Sequence, residues 1–313
     1  MIEFSILGRS FRATGTDAAL AAMLRLRYDF PEYVLPEHPF QIKLEVLSQS
    51  PTDFPETTAS DQLQMLSGPM AIWNGDPIFW LGSLSTGGRI EVLEAGVKLA
   101  LWGSSDSRFE IAMIGLAEGL RASGLISLHT SMPARDGRAL ALLGPSGRGK
   151  TTSLIRALHS GLQPVCEDFA WCEPSTARVY GFDRGLRLLP DTAELFKQLF
   201  QMQASQIQSN QVQAGEWQGD KWFVPYSSFT QRQNATLVAL VLLERQPELP
   251  TAWLEVAPRA AALALWEASG MPLSGVVQQR TSQEIGRLAR MPAYTLRLGQ
   301  GEIDWASGPL RIA

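Results

Sequence analysis

Short apolar runs separated by turn residues fill the first third of this 313-residue chain, and longer runs of buried type follow. Glu3–Leu7, Phe40–Leu47, Met70–Trp73, Ile78–Leu81, Arg89–Leu93 and Gly96–Leu101 carry the pattern of strands. A helix is predicted over Thr16–Tyr28. The stretch Ser48–Gln62, rich in Ser, Thr, Asp and Pro, is expected as a surface loop. Residues 1–105 therefore read as a β-rich N-terminal region. In Arg108–Ser123, Phe109, Ala112, Met113, Leu116 and Leu120 recur at helical spacing, and Gly124 suits the end of that helix.

Residues 106–313 read as a second domain, or as the rest of one continuous domain. Strand Arg138–Leu143 leads into helix Thr151–Leu158. Val165–Cys172 reads as one strand, returning through the turn Pro174–Ala177 as Arg178–Phe182 in a hairpin. A helix is expected at Asp191–Phe200. The glutamine-rich stretch Gln198–Gln218 holds few large apolar residues, so it reads as a loosely packed excursion with a lid as one role. Order returns with Trp222–Val224 and the buried-type run Thr236–Leu243. Helices are predicted at Ala260–Ala268 and Ser282–Arg290, joined by a short strand Gly275–Val277, and Tyr294–Leu298 is the last strand. No solenoid repeat is visible.

Composition narrows the class. With 45% hydrophobic and 19% charged residues the chain has enough apolar content for a sizeable core. The net charge of −4 gives no reason to expect nucleic acid or an anionic membrane as partner. No apolar stretch approaches the ~20 residues that span a bilayer, and the start has an early acid and no basic leader, which implies a cytoplasmic protein. Cys166 and Cys172 are too few for a disulfide framework and read as packing thiols; His38, His129 and His159 offer no zinc spacing around them. Composition is silent on oligomeric state, and a homo-oligomer is compatible with it.

The run Gly144-Pro145-Ser146-Gly147-Arg148-Gly149-Lys150-Thr151 changes the picture, because an apolar strand precedes it and a helix-forming segment follows. That is the setting of a phosphate-binding loop: glycines let main-chain amides curl around phosphates, and the helix N-terminus adds its positive dipole end. Lys150 is expected on the outer phosphates, and Thr151 supplies the hydroxyl for Mg²⁺ with Thr152 as its second choice. The implied cofactors are ATP and Mg²⁺. Arg148 is expected to face water. Glu167-Asp168 is the sole acidic pair close behind Lys150. A helix of roughly ten residues and a short return bring it beside the loop, one carboxylate for the γ-phosphate side and one for the metal.

Leu128-His129-Thr130, the stretch Asp136–Thr151 and Glu167-Asp168-Phe169-Ala170 together resemble the kinase domain of HPr kinase/phosphorylase and the wider group of related kinases, over Leu128–Leu189. The resemblance implies an α/β fold: a P-loop kinase core of the HPr kinase/PEP carboxykinase type with a mixed sheet. It implies that His129, Lys150, Glu167 and Asp168 are catalytic, and that Thr151, Glu167 and Asp168 serve the metal. The family's acidic pair is two aspartates or Asp-Glu, so the Glu-Asp order leaves open which residue is the base. The C-terminal signature of the phosphorylase activity has no convincing copy. Residues 1–105 look more like the N-terminal regions of related proteins associated with peptide or small-molecule modification than like the classical regulatory domain.

The expected activity is transfer of the γ-phosphate of ATP to a hydroxyl, on a peptide or protein serine or a small-molecule alcohol. The alternative is a P-loop ATPase or nucleotide-binding regulator. Glu244, at the end of the Val238–Leu243 run, is the acid that would favour the alternative. An Asn-Lys-x-Asp base-reading motif is absent. Lys221 reads as a solvated lysine or as a neutraliser of developing charge, and Arg184 and Arg187 as anion-holding groups or as partners of Asp183 and Asp191.

Overall fold

The computed structural model describes residues 1–33, 35–55, 63–67, 70–204, 215–229 and 234–310. Its middle section, 205–214, falls within the glutamine-rich excursion and lies outside the described residues, as does part of the Ser48–Gln62 loop, 56–62. The molecule is mixed α/β, and it divides into two compact units, Met1–Leu125 with Met271–Ser282 and Ile126–Gly270 with Gln283–Ala313. Among the described residues no helix is long and apolar enough to cross a membrane.

The first unit is built on an eight-stranded sheet in the order β1 (Ile2–Ile6), β2 (Arg9–Thr14), β3 (His38–Val46), β8 (Gly96–Trp102), β7 (Gly87–Leu93), β6 (Ile78–Gly82), β5 (Met70–Gly75), β4 (Leu63–Ser67). Strands β2, β3 and β8 run parallel and the other pairs antiparallel. Burial alternates along β2 and β3, with Phe11, Ala13, Phe40, Ile42 and Leu44 on the core face. Helix α1 (Ala18–Tyr28) opens on Asp17, whose side chain accepts the Leu20 amide at 2.8 Å. Helix α2 (Ser105–Ala122) lays Ile111, Ala112, Leu116 and Leu120 against β7 and β8, and Gly124 follows it at φ +95°. That packing puts residues 106–125 in the first unit, beyond the expected β-rich region 1–105.

Residues 271–282 join this unit through a buried carboxylate. Glu118 Oε1 accepts the amides of Leu273 (3.1 Å) and Ser274 (2.7 Å), just ahead of helix α6 (Gly275–Leu288). Gly275–Val277 is therefore the first turn of a helix and not the expected strand: amides left free at a helix start are met here by an acid distant in sequence.

The second unit carries a nine-stranded mixed sheet whose main path is β12 (Gln163–Cys166), β10 (Met132–Arg135), β11 (Arg138–Leu143), β18 (Asn234–Pro250), β14 (Arg178–Gly181), β13 (Phe169–Glu173), β9 (Ile126–His129). β20 (Ala293–Gln300) runs parallel to β18, and β19 (Ala252–Glu255) pairs β20. β11 and β18 are parallel neighbours at its centre, and nearly every residue of β11 is buried, as a strand covered on both faces requires. One face packs on α5 (Pro258–Ser269) through Ala261 and Leu265.

Helix α3 (Lys150–His159) follows β11 and packs on α4 (Pro190–Ala204). Leu154, Ile155 and Leu158 of α3 share a core with Phe196 and Phe200. The same core takes Leu186 and Val224 from a small sheet of β15 (Gly185–Leu188), β17 (Lys221–Pro225) and β16 (Glu216–Gln218).

Val165–Cys172 is not one strand. It breaks at Glu167-Asp168 because its halves pair with different partners: β12 lies antiparallel to β10, whereas β13 lies between β9 and β14. A chain that changes neighbours in mid-run has to bend, and the bend carries the two acids.

Candidate functional site: the phosphate loop and the acidic bend

Strand β11 ends at Leu143 and the loop turns immediately. Gly144, Gly147 and Gly149 take φ of +148°, +79° and +94°, conformations that a side chain disfavours, and Gly149 caps the N-terminus of α3. Pro145, Ser146, Gly147 and Arg148 form an exposed crest. Lys150 is buried, and its ammonium donates to the carbonyls of Gly144 (2.8 Å) and Pro145 (3.4 Å). Burial lowers its pKa, opposed by the charges of Asp168 and Glu167.

At the second residue of the helix, the Thr151 hydroxyl donates to Glu167 Oε1 at 2.5 Å; Thr152 beside it is half-buried. Glu167 is 6% exposed. Burial pushes its carboxyl up to about 7, assisted by the charges of Asp168 and Asp183 and opposed by hydrogen bonds from the Thr151 hydroxyl and the Arg187 backbone.

Asp168 faces the other way. Its side chain is 60% exposed and its Oδ1 lies 3.1 Å from His129 Nδ1. The hydrogen bond from His129 holds its carboxyl below the ordinary range despite partial burial, with further help from the charges of Lys150 and Lys221. The register that sets Phe169 opposite His129 across β13 and β9 brings that imidazole to the bend. Adjacent acids thus occupy opposite electrostatic settings.

The bend is bonded on both sides. The Ser131 hydroxyl donates to the Glu167 carbonyl and the Thr130 amide to the Asp168 carbonyl (3.1 Å). Opposite them, Asp183 Oδ2 accepts the amides of Glu167 (2.8 Å), Asp168 (2.7 Å) and Phe169 (3.3 Å), and Asp183 Oδ1 accepts the Tyr226 hydroxyl at 2.9 Å. Burial raises the Asp183 carboxyl to about 6, against the pull of those four hydrogen bonds. The sequence offers Asp183 only as one of the alternatives for Arg184 and Arg187, and nothing in it singles out Tyr226. No local signal marks Asp183, because its neighbour Arg184 in the same Gly181–Leu186 stretch is exposed.

The expected loop, lysine, threonine, histidine and acidic pair are therefore brought together. Glu244 stands one residue beyond Leu243 on the parallel neighbour of the loop strand, exposed and accepting a hydrogen bond from Gln246. Lys150 feels the charges of Asp168 and Glu167. Arg184 and Arg187 are exposed on either side of Leu186.

A metal is tested by its donors. Thr151 Oγ1 and Glu167 Oε1 meet, while the Asp168 carboxylate on the next residue is turned to His129, and such hard oxygens suit Mg²⁺, which takes one or two protein ligands plus phosphate and water. Among the described residues no group of three or more His, Cys, Asp or Glu side chains forms an all-protein cage. In the first unit a shallow cleft alternates Arg12, Lys43, Arg89 and Lys98 with Glu45 and Glu91, and assembles no nucleophile or metal set. A scan against protein-family models and a search of curated proteins each returned no match.

Proposed function

We propose that this chain is an ATP-dependent kinase with a P-loop core of the HPr kinase type, transferring the γ-phosphate to a hydroxyl of a peptide or protein serine or of a small-molecule alcohol. One observation carries the reading. A single bend beside the phosphate loop sends Glu167 to the Thr151 hydroxyl and Asp168 to His129.

The roles follow from that split. Amides of residues 144–149 and the α3 N-terminus cradle the phosphates, while Lys150 exchanges its two loop carbonyls for phosphate oxygens. Thr151 and Glu167 are the residues that would hold Mg²⁺, which would supply neutralisation of charge on the phosphates. Burial raises the Glu167 carboxyl to about 7 in the protein alone, and a cation beside it would favour its ionised form.

Asp168 is ionised and exposed, hence open to an incoming hydroxyl. It orients that hydroxyl and takes its proton as the acceptor oxygen bonds to phosphorus and the bond from phosphorus to the β-bridging oxygen breaks, releasing ADP. A carboxylate held below its ordinary pKa is a weak base, which suits a loose transition state in which the proton leaves late. His129 fixes the carboxylate through Oδ1.

The test is incubation with γ-labelled ATP and an extract of the host, repeated with Asp168→Asn. Label transfer that drops by at least ~100-fold is expected for loss of a general base. The second reading, a P-loop ATPase, draws on Glu244 beside the loop strand. Label passing only to water, unaffected by the substitution, would establish it.

A further inference from the structure

Asp183 touches neither the phosphate loop nor an acceptor in the arrangement above, yet four hydrogen bonds converge on its carboxylate. Three come from consecutive amides, those of Glu167, Asp168 and Phe169. Consecutive amides aimed at one oxygen form an anion-binding nest, and here an acid of the same chain fills it. The nest fixes the peptide planes at 167–169 and thereby the direction in which the Asp168 side chain leaves the bend, while Glu167 is held separately by the Thr151 hydroxyl.

Its other oxygen reaches Tyr226, which directly follows β17, the strand that closes the hairpin after the glutamine-rich stretch. Tyr226 is 1% exposed, and its backbone amide also bonds to the Arg184 carbonyl (3.2 Å). The phenol is thus locked at both ends.

We propose that Asp183 is a positioning residue for phosphoryl transfer, held by Tyr226, which turns Asp168 toward the acceptor. This rests on the kinase reading. The alternatives for Asp183 are a role in overall folding or a direct role as the base. Asn keeps an oxygen for the three amides and presents its NH₂ to the Tyr226 hydroxyl, which accepts as well as donates. Positioning therefore survives Asp183→Asn but not Asp183→Ala.

In the full-length protein, Asp183→Ala is expected to lower kcat by ~100-fold, the scale of a misplaced reacting group, with nucleotide Kd and binding stoichiometry held within about threefold of wild type. Asp183→Asn should recover kcat to within about fivefold of wild type, and Tyr226→Phe should lose about fivefold, the worth of one hydrogen bond. In an Asp168→Asn background, Asp183→Ala should cost little more, because residues acting through one group are not additive.

Three results overturn the proposal: loss of nucleotide binding in step with kcat, an Asn variant as inactive as the Ala variant, or full additivity with Asp168→Asn. Hydrogen exchange reads the tether without any acceptor. Exchange at the amides of 167–169 should quicken by at least ~10-fold in Asp183→Ala. A wild type that transfers no label sinks the kinase reading while this arm still decides the tether; unchanged exchange sinks the tether itself.

Discussion

Glu167→Gln offers a quantitative test of the electrostatics at the loop. The folded protein holds the Glu167 proton to about pH 7, against an ordinary glutamate value of 4.5. Below pH 4.5 the residue is neutral in both folded and unfolded chains and adds no pH dependence. As pH rises the unfolded chain releases its proton first, so the ionised form is penalised only in the fold. Stability is lost progressively until about pH 7, above which the penalty is complete.

Burial is the leading cause of the shift and the side chain is 6% exposed, so solvent screening takes little from it. The difference in pKa corresponds to about 3 kcal/mol. Gln keeps an oxygen to accept from Thr151 and never ionises. The unfolding free energy of Glu167→Gln minus that of wild type is therefore expected to rise by about 3 kcal/mol between pH 4 and pH 8. Urea unfolding across that range in the absence of nucleotide and Mg²⁺ measures it. Asp183, raised to about 6, gives wild type and variant a dependence of the same sign that largely drops out of the difference. A difference flat to within about 0.5 kcal/mol would show that the Glu167 carboxyl is well solvated, and the burial argument would fall.

Lys150→Met keeps most of the apolar stem and removes the ammonium, so nucleotide Kd by calorimetry should weaken roughly 10- to 100-fold, and unchanged affinity would contradict a phosphate role for Lys150. Two glycines should respond very differently to alanine in the same unfolding assay. Gly147, at φ +79° with open space around its missing Cβ, should lose only about 1 kcal/mol. At Gly181 the added methyl would overlap the Val165 carbonyl, so the loss should exceed about 3 kcal/mol; equal losses would refute the close approach of β12 and β14.

Much of the site was legible in the chain because its requirements are local. Gly144, Gly147 and Gly149 stand where the backbone turns to positive φ, the fully apolar Ala139–Leu143 matches a strand buried on both faces, and the Lys150–Leu158 segment carries α3. Helix α1 lies within the expected Thr16–Tyr28, and α2 overlaps the Arg108–Ser123 segment that apolar spacing and Gly124 mark. β2 was missed, since Arg9-Ser-Phe-Arg-Ala-Thr shows few apolar residues and its alternation emerges only when Arg9 is found buried against Ser123.

Sequence by itself settled which residue types occur at the loop, where its glycines fall and that two acids come soon after; bond rotation and side-chain periodicity act over a few residues, so a linear reading captures them. Tertiary structure decided the rest. Strand partners are chosen across tens of residues, and that choice broke Gln163–Glu173 into β12 and β13, aimed Glu167 and Asp168 apart, and set Asp183 against the amides between them. It also made Gly275–Val277 a helix start, because Glu118 lay waiting for the amides of Leu273 and Ser274. A buried hydrogen bond between residues far apart in the chain leaves no periodic trace in either segment, yet leaving those amides unmet would cost about 1–3 kcal/mol apiece, enough to override local preference.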